Sequence, residues 1–130
     1  MSLALLLDTN ALLWWMHQPE SLTSKAREAI SDGSNMVFVS PVSAIEIATK
    51  NRKRRLEFES PLAHDFVAQT ASEGFREVPV SSEHAQLAGG FGNPHKDPWD
   101  RLLAAQSQLE RLVLVTSDHV FGSFGTATLW

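Results

Sequence analysis

The chain has 130 residues, 43 % hydrophobic and 20 % charged, with a formal net charge of −4, which suits a single globular domain spanning residues 1–130. It contains no cysteine, which excludes a disulfide framework and a thiolate nucleophile and leaves only oxygen or imidazole to hold a metal. No apolar run approaches the roughly 20 residues that cross a bilayer, and no positive region with a small-residue cleavage site opens the chain, so a cytoplasmic protein without a membrane partner is expected.

The leucine run Leu3 to Leu7 is short and continuous, which fits a strand buried on both faces of a parallel sheet. Ala11 to His17 predicts a helix ended near Pro19. A second helix runs from about Ser21 or Thr23 to Ile30, stopped by Asp32 and Gly33. "MVFVS" (Met36 to Ser40) is the next strand, and Pro41 suits the first turn of a helix through "VSAIEIATKNRKRRL". Leu62 to Gly74 reads as an amphipathic helix closed by glycine. "FREVPV" is a weaker strand whose Pro79 argues for an end or an edge. A short helix follows from Ser82 to about Leu87, then a glycine-rich loop from Gly89 to Pro94. Pro98 to Leu112 has helical spacing, "LVLVTSD" (Leu112 to Asp118) is the second strong buried strand, and Ala127 to Trp130 offers a last short one. Alternating strands and helices predict an α/β layered fold with a mainly parallel sheet. In such sheets ligands bind beyond the carboxyl ends of the strands.

Asp8 stands at the carboxyl end of the first strand and Asp118 at that of "LVLVTSD". If these strands are parallel neighbours, both carboxylates open on one crevice. Each also suits a helix cap. Asp97, followed by Pro98, is a strong helix start, and Asp100 is then the third helical residue, where an acid favours the dipole. Glu46 has Lys50 four residues on, an ordinary surface ion pair, yet it lies one turn into a helix that begins at a strand end. Acids gathered in one place repel unless a cation compensates, and carboxylates without thiols or paired histidines suit a hard ion such as Mg²⁺ or Mn²⁺. Such an ion supports hydrolysis of phosphodiesters. Of the five histidines, only His95 and His119 stand beside these acids.

"LLLDTN", "SPVSAIEIATK", "HKDPWDRLLAAQS" and "LVLVTSD", in this order, resemble PIN-domain ribonucleases, most of all the VapC-type toxins of bacterial toxin–antitoxin pairs. The resemblance spans Leu5 to Asp118, and its third motif is the most specific. Trp99 stands where Phe is more usual and Ser107 where Ala is; neither touches the acids. The resemblance implies a three-layer α/β/α domain with a sheet of about four to five strands. It makes Asp8, Glu46, Asp100 and Asp118 the catalytic, metal-binding cluster, with Asp97 as a further ligand or only a cap. Thr116 and Asn10 would orient ligands or water from behind. It further implies Mg²⁺- or Mn²⁺-dependent cleavage of RNA, often tRNA, together with homodimerisation and inhibition by a cognate antitoxin.

Lys50, Arg52, Lys53, Arg54 and Arg55 form one basic stretch that could hold RNA phosphates near the acids, or end a solvated helix. Trp14, Trp15 and Trp99 could stack on bases, although core packing or a protein interface is the commoner use. The rival from another class is a non-catalytic signalling domain of receiver type. It would need an acid at the end of a middle strand, where "MVFVS" ends in Ser40, and a late lysine where "LVLVTSD" ends in Asp118.

Overall fold

In the computed structural model, which describes residues 2–130, β1 (Ala4–Leu7) is the central strand of a five-stranded sheet. β2 (Met36–Val39) and β3 (Arg76–Glu77) lie to one side of it, β4 (Val113–Val115) and β5 (Thr128–Leu129) to the other. The order is β3-β2-β1-β4-β5 and every pairing is parallel. Leu6 pairs with Phe38 on one flank and Leu114 on the other. Leu5 and Leu7 face one apolar cluster and Leu6 faces the other, as the period of two in a strand requires. Both clusters are covered by helices, which is why an uninterrupted leucine run serves here.

The helices are α1 (Thr9–His17), α2 (Ser24–Ser31), α3 (Pro41–Arg52), α4 (Phe66–Ser72), α5 (Ser82–Gly90) and α6 (Pro98–Leu109). Leu12, Ala26, Ile30 and Phe66 from α1, α2 and α4 join the Leu5–Leu7 cluster. Leu103 and Ala104 from α6 join Leu6, together with Phe121 and Phe124. α3 contributes to both, through Ile47 and Val42. Among the described residues, no helix is long and apolar enough to cross a membrane.

Several expected boundaries shift. The helix expected through Leu56 ends at Arg52, and the one expected to Leu112 ends at Leu109. In both, an arginine takes the left-handed conformation just past the end, Arg54 at φ 57° and Arg111 at φ 56°. Arg55 N–H then reaches back to Lys50 O at 2.8 Å, and Leu112 N–H to Ser107 O at 2.8 Å. This is the helix-closing turn that normally uses glycine, as Gly74 at φ 78° does behind α4. The segment expected as one helix from Leu62 divides into a 3₁₀ turn (Pro61–Ala63) and α4, because Asp65 leaves the helical region. β4 stops at Val115, so Asp118 is not a strand residue: the Thr116 hydroxyl accepts the Asp118 N–H at 3.0 Å and turns the chain out of the sheet.

Candidate functional site

The chain lays β1, β2 and β3 outward in one direction and then crosses β1 to place β4 on its other side. The strand order therefore reverses between β1 and β4, where an open parallel sheet has its ligand crevice. Asp8 and Thr116 follow directly on those two strands and join across the gap. Thr116 Oγ1 donates to Asp8 Oδ2 at 2.6 Å, while Ala11 N–H donates to Asp8 Oδ1 at 2.7 Å. Asp8 is thus also the cap of α1, so the capping alternative and the site position coincide in one side chain. Burial pushes its carboxyl up from the ordinary 3.8 to about 6; the two hydrogen bonds pull downward, and Asp100 and Asp118 push upward.

Glu46 does not pair with Lys50: among the described residues no carboxylate lies within ion-pair distance of that lysine. It turns instead toward α1, where Thr9 Oγ1 donates to Glu46 Oε1 at 2.7 Å and also meets Ser43 Oγ at 3.0 Å. Burial raises the Glu46 pKa and Thr9 lowers it; Asp100 and Asp97 raise it further, and the charge of Lys50 lowers it. Asp97 caps α6 by accepting from Trp99 N–H at 2.9 Å. One turn on, Asp100 is held by His95, Nε2 to Oδ2 at 2.8 Å. Its pKa is raised chiefly by burial, with His95 lowering it and Asp97 and Asp118 adding to the rise. Asp118 is exposed and caps a 3₁₀ turn (His119–Phe124), accepting from Val120 N–H at 3.0 Å.

The five acids therefore come from four separate places in the sequence, and neighbouring acids add to the raised pKa of Asp8, Glu46 and Asp100. Proton uptake is eased at those three, chiefly by burial and in addition by like charge without a counter-ion. Their chemistry suits a hard divalent cation. Their present positions do not form a closed cage, for among the described residues no three acid or imidazole groups stand within reach of one ion. Asn10, exposed at the start of α1, bonds to none of the acids. It lines a cavity of about 190 Å³ beside Lys50 and Arg55. The other bases of the stretch, Arg52, Lys53 and Arg54, are exposed and lie outside that lining.

Two contributors carried no signal in the local sequence. Thr9 sits inside the "DTN" motif but is the residue that orients Glu46 from 37 positions away. Arg101 binds the loop before α6 entirely through backbone carbonyls. Its Nε donates to Ala88 O at 2.8 Å, Nη1 to Asn93 O and His95 O at 2.8 and 2.9 Å, and Nη2 to Gly89 O and Phe91 O at 3.4 and 2.6 Å. That clamp fixes the loop from which His95 reaches Asp100. His119, the other histidine beside the acids, is exposed and opens the 3₁₀ turn after Asp118.

No curated protein matches the chain by sequence. Among solved structures, it is similar to a toxin–antitoxin complex from Klebsiella pneumoniae, with a TM-score of 0.66 at 18 % identity over 97 % of this chain and 96 % of that one. VapBC2 from Rickettsia felis bound to a DNA fragment from its promoter gives 0.65 at 15 % identity, covering 98 % of each chain. FitAcB from Neisseria gonorrhoeae gives 0.60 at 16 % identity, covering 100 % of this chain and 97 % of that one. Likeness at these identities is a likeness of fold, and it agrees with the parallel sheet described above. A sequence model of the PIN domain matches residues 5–126, nearly the whole chain, and the protein belongs to the PIN domain family.

Proposed function

We propose that this protein is a metal-dependent endoribonuclease and the toxin of a toxin–antitoxin pair, working as one unit over residues 1–130. Asp8, Glu46, Asp100 and Asp118 would hold Mg²⁺ or Mn²⁺, with Asp97 at hand. The observation that carries this reading is the set of acids at the β1–β4 reversal, three of them with raised pKa and each positioned by its own hydrogen bond. A structural role would need one cap per helix; it would not need Glu46, which caps nothing, held by Thr9 near Asp100 and Asp97.

When bound, the cation supplies charge compensation and Lewis acidity toward a phosphodiester. The chain's own groups do the positioning. Thr116 fixes Asp8, Thr9 fixes Glu46, and His95 fixes Asp100, so little side-chain freedom is lost on binding. Lys50 and the bases after it would attract the RNA backbone. The toxin–antitoxin complexes of similar fold support a cognate antitoxin as partner; a homodimer as the working form is part of the same proposal and rests on the family resemblance alone. The receiver-type reading loses its central requirement, because β2 leads into Ser40, whose hydroxyl is buried and donates to Gln106 Oε1 at 2.6 Å.

The test is cleavage of single-stranded RNA and tRNA with Mg²⁺ or Mn²⁺, with and without EDTA, by the wild type, Asp8→Asn and Asp100→Asn. Cleavage should need the ion and fall at least a hundredfold in both variants, on the order of what positioned catalytic groups contribute. Equal cleavage by all three proteins would sink the site assignment.

A further inference from the structure

The cavity beside the acids is built by the same two helices that deliver them. α1 contributes Asn10 and Trp14, α3 contributes Lys50, and the segment after α3 contributes Arg55, Glu57 and Phe58. Asn10 is two residues past Asp8, and Lys50 is one turn past Glu46. Its volume of about 190 Å³ is below the roughly 300 Å³ of a small-molecule pocket and suits one flat ring.

Its walls are held in place. Trp14 packs on Trp130 with ring centres 5.7 Å apart, and Phe58 packs on His17 at 4.8 Å. His17 Nε2 is in turn tied to Ser60 Oγ at 2.7 Å. The closing turn of α3 brings Arg55 back over Lys50, through Arg55 N–H to Lys50 O and Arg54 N–H to Asn51 O at 3.0 Å. Arg54 accepts a left-handed backbone to make that turn, a strained conformation of the kind that collects at functional sites. Among the described residues, neither Lys50 nor Arg55 has a carboxylate within ion-pair distance, although Glu57 shares the lining.

Two aromatic rings, two cations without an ion-pair partner and one amide, against a single carboxylate (Glu57), surround a ring-sized space whose Lys50 stands one helical turn from Glu46; that combination matches an unpaired nucleotide. Bases freed from a duplex stack on aromatic side chains while cations track the backbone. We propose that this cavity is a nucleotide subsite: an unpaired RNA base lies against Trp14 and Phe58, with its phosphate on Lys50 and Arg55 and its edge within reach of Asn10. The subsite rests on the nuclease reading above and adds to it a defined base-binding position, formed by Trp14, Phe58, Lys50 and Arg55.

The test is equilibrium binding of a labelled unpaired RNA octamer to the full-length protein in EDTA, so that no cleavage occurs. It is repeated with the same octamers carrying one abasic position. Phe58→Leu should weaken intact octamers roughly tenfold and leave the abasic octamer that empties the cavity unchanged. Lys50→Gln and Arg55→Gln should each lower the slope of log affinity against log salt by about 0.7. Phe58→Leu acting equally on intact and abasic RNA overturns the proposal, as does an unchanged salt slope in Lys50→Gln, a surface-side variant that keeps the fold testable. Weakened binding of a partner protein with unchanged RNA affinity assigns the cavity to that partner and also overturns it. Wild-type cleavage with all three variants binding normally removes the subsite alone; a wild type that neither binds nor cleaves RNA removes the nuclease reading with it.

Discussion

The Thr9 hydroxyl donates to Glu46 Oε1 at 2.7 Å, so an acid on α3 is aimed by a residue in the first turn of α1. Glu46 has no cation at ion-pair distance among the described residues, and this bond is the larger of two influences that oppose the rise in its pKa, the other being the charge of Lys50. Thr9→Val keeps the shape and removes the donor. It should cost about 1–3 kcal/mol, because the part-buried Glu46 and the buried Ser43 both lose a partner. The Glu46 pKa should rise further, so Mn²⁺ binding begins at higher pH. Chemical denaturation together with Mn²⁺ titrations across pH checks both; a variant unchanged in both would contradict the assignment.

The Asp8 pKa of about 6 gives the metal-free protein an unusual pH dependence. A carboxyl whose pKa is raised by folding holds its proton better when folded, so its stabilising contribution is complete below the ordinary 3.8 and is lost as pH rises through about 6. The interval is worth about 3 kcal/mol, and the raised Glu46 and Asp100 act in the same direction. Thermal melts in EDTA should therefore show falling stability between about pH 4 and 6. Asp8→Asn should flatten that fall, and Mn²⁺ at pH 8 should stabilise the wild type but not the variant. Parallel pH curves for the two proteins would exclude Asp8 as the cause.

His95 is half-buried and bonds to Asp100 Oδ2 at 2.8 Å. Groups that steady a metal-binding carboxylate typically matter 10- to 100-fold in ion affinity. His95→Ala should weaken Mn²⁺ binding by roughly that factor with little change in melting temperature. A lower melting temperature with unchanged Mn²⁺ affinity would make His95 a purely structural residue.

Arg111 occupies a left-handed position that costs a non-glycine residue about 1 kcal/mol. Its turn has the same pattern as that of Gly74. Arg111→Gly should stabilise the protein by about 0.5–1 kcal/mol by denaturant midpoint, and Gly74→Ala should destabilise it by a similar amount. Loss of stability in the glycine variant would mean that the Arg111 side chain contributes more than its backbone costs.

The sheet was legible because "LLL" and "VLV" are too apolar and too short for anything but strands covered on both faces, and Pro41 and Asp97–Pro98 mark helix starts by backbone geometry alone. Helix ends were less so: Arg54 and Arg111 are good helix formers, and nothing in their side chains announces a left-handed turn. The sequence suggested a Glu46–Lys50 pair by spacing, whereas a hydroxyl distant in the chain decides where Glu46 points. The four acids could be picked out by their place at element ends, but whether each would cap, ligate or do both depended on tertiary hydrogen bonds. Asp118 was placed at a strand end, three residues too far along, because Thr116 ends β4 with its side chain.

Arg101 holds five carbonyls between Ala88 and His95 with the whole of its planar fork. Carbonyl oxygens are the same in every residue, so the side-chain demands on this loop come from elsewhere: Phe91 packs on Phe124 beneath the guanidinium, and the Asn93 side chain accepts the His95 N–H. Its exposed positions, Gly92, Pro94 and Lys96, can vary the surface offered beside the acids while the carbonyl anchors hold the path that delivers His95. The carbonyl anchors all depend on one guanidinium: Arg101→Lys keeps the charge but not the fork, and a single codon change would remove most of the bonds that hold the path to His95.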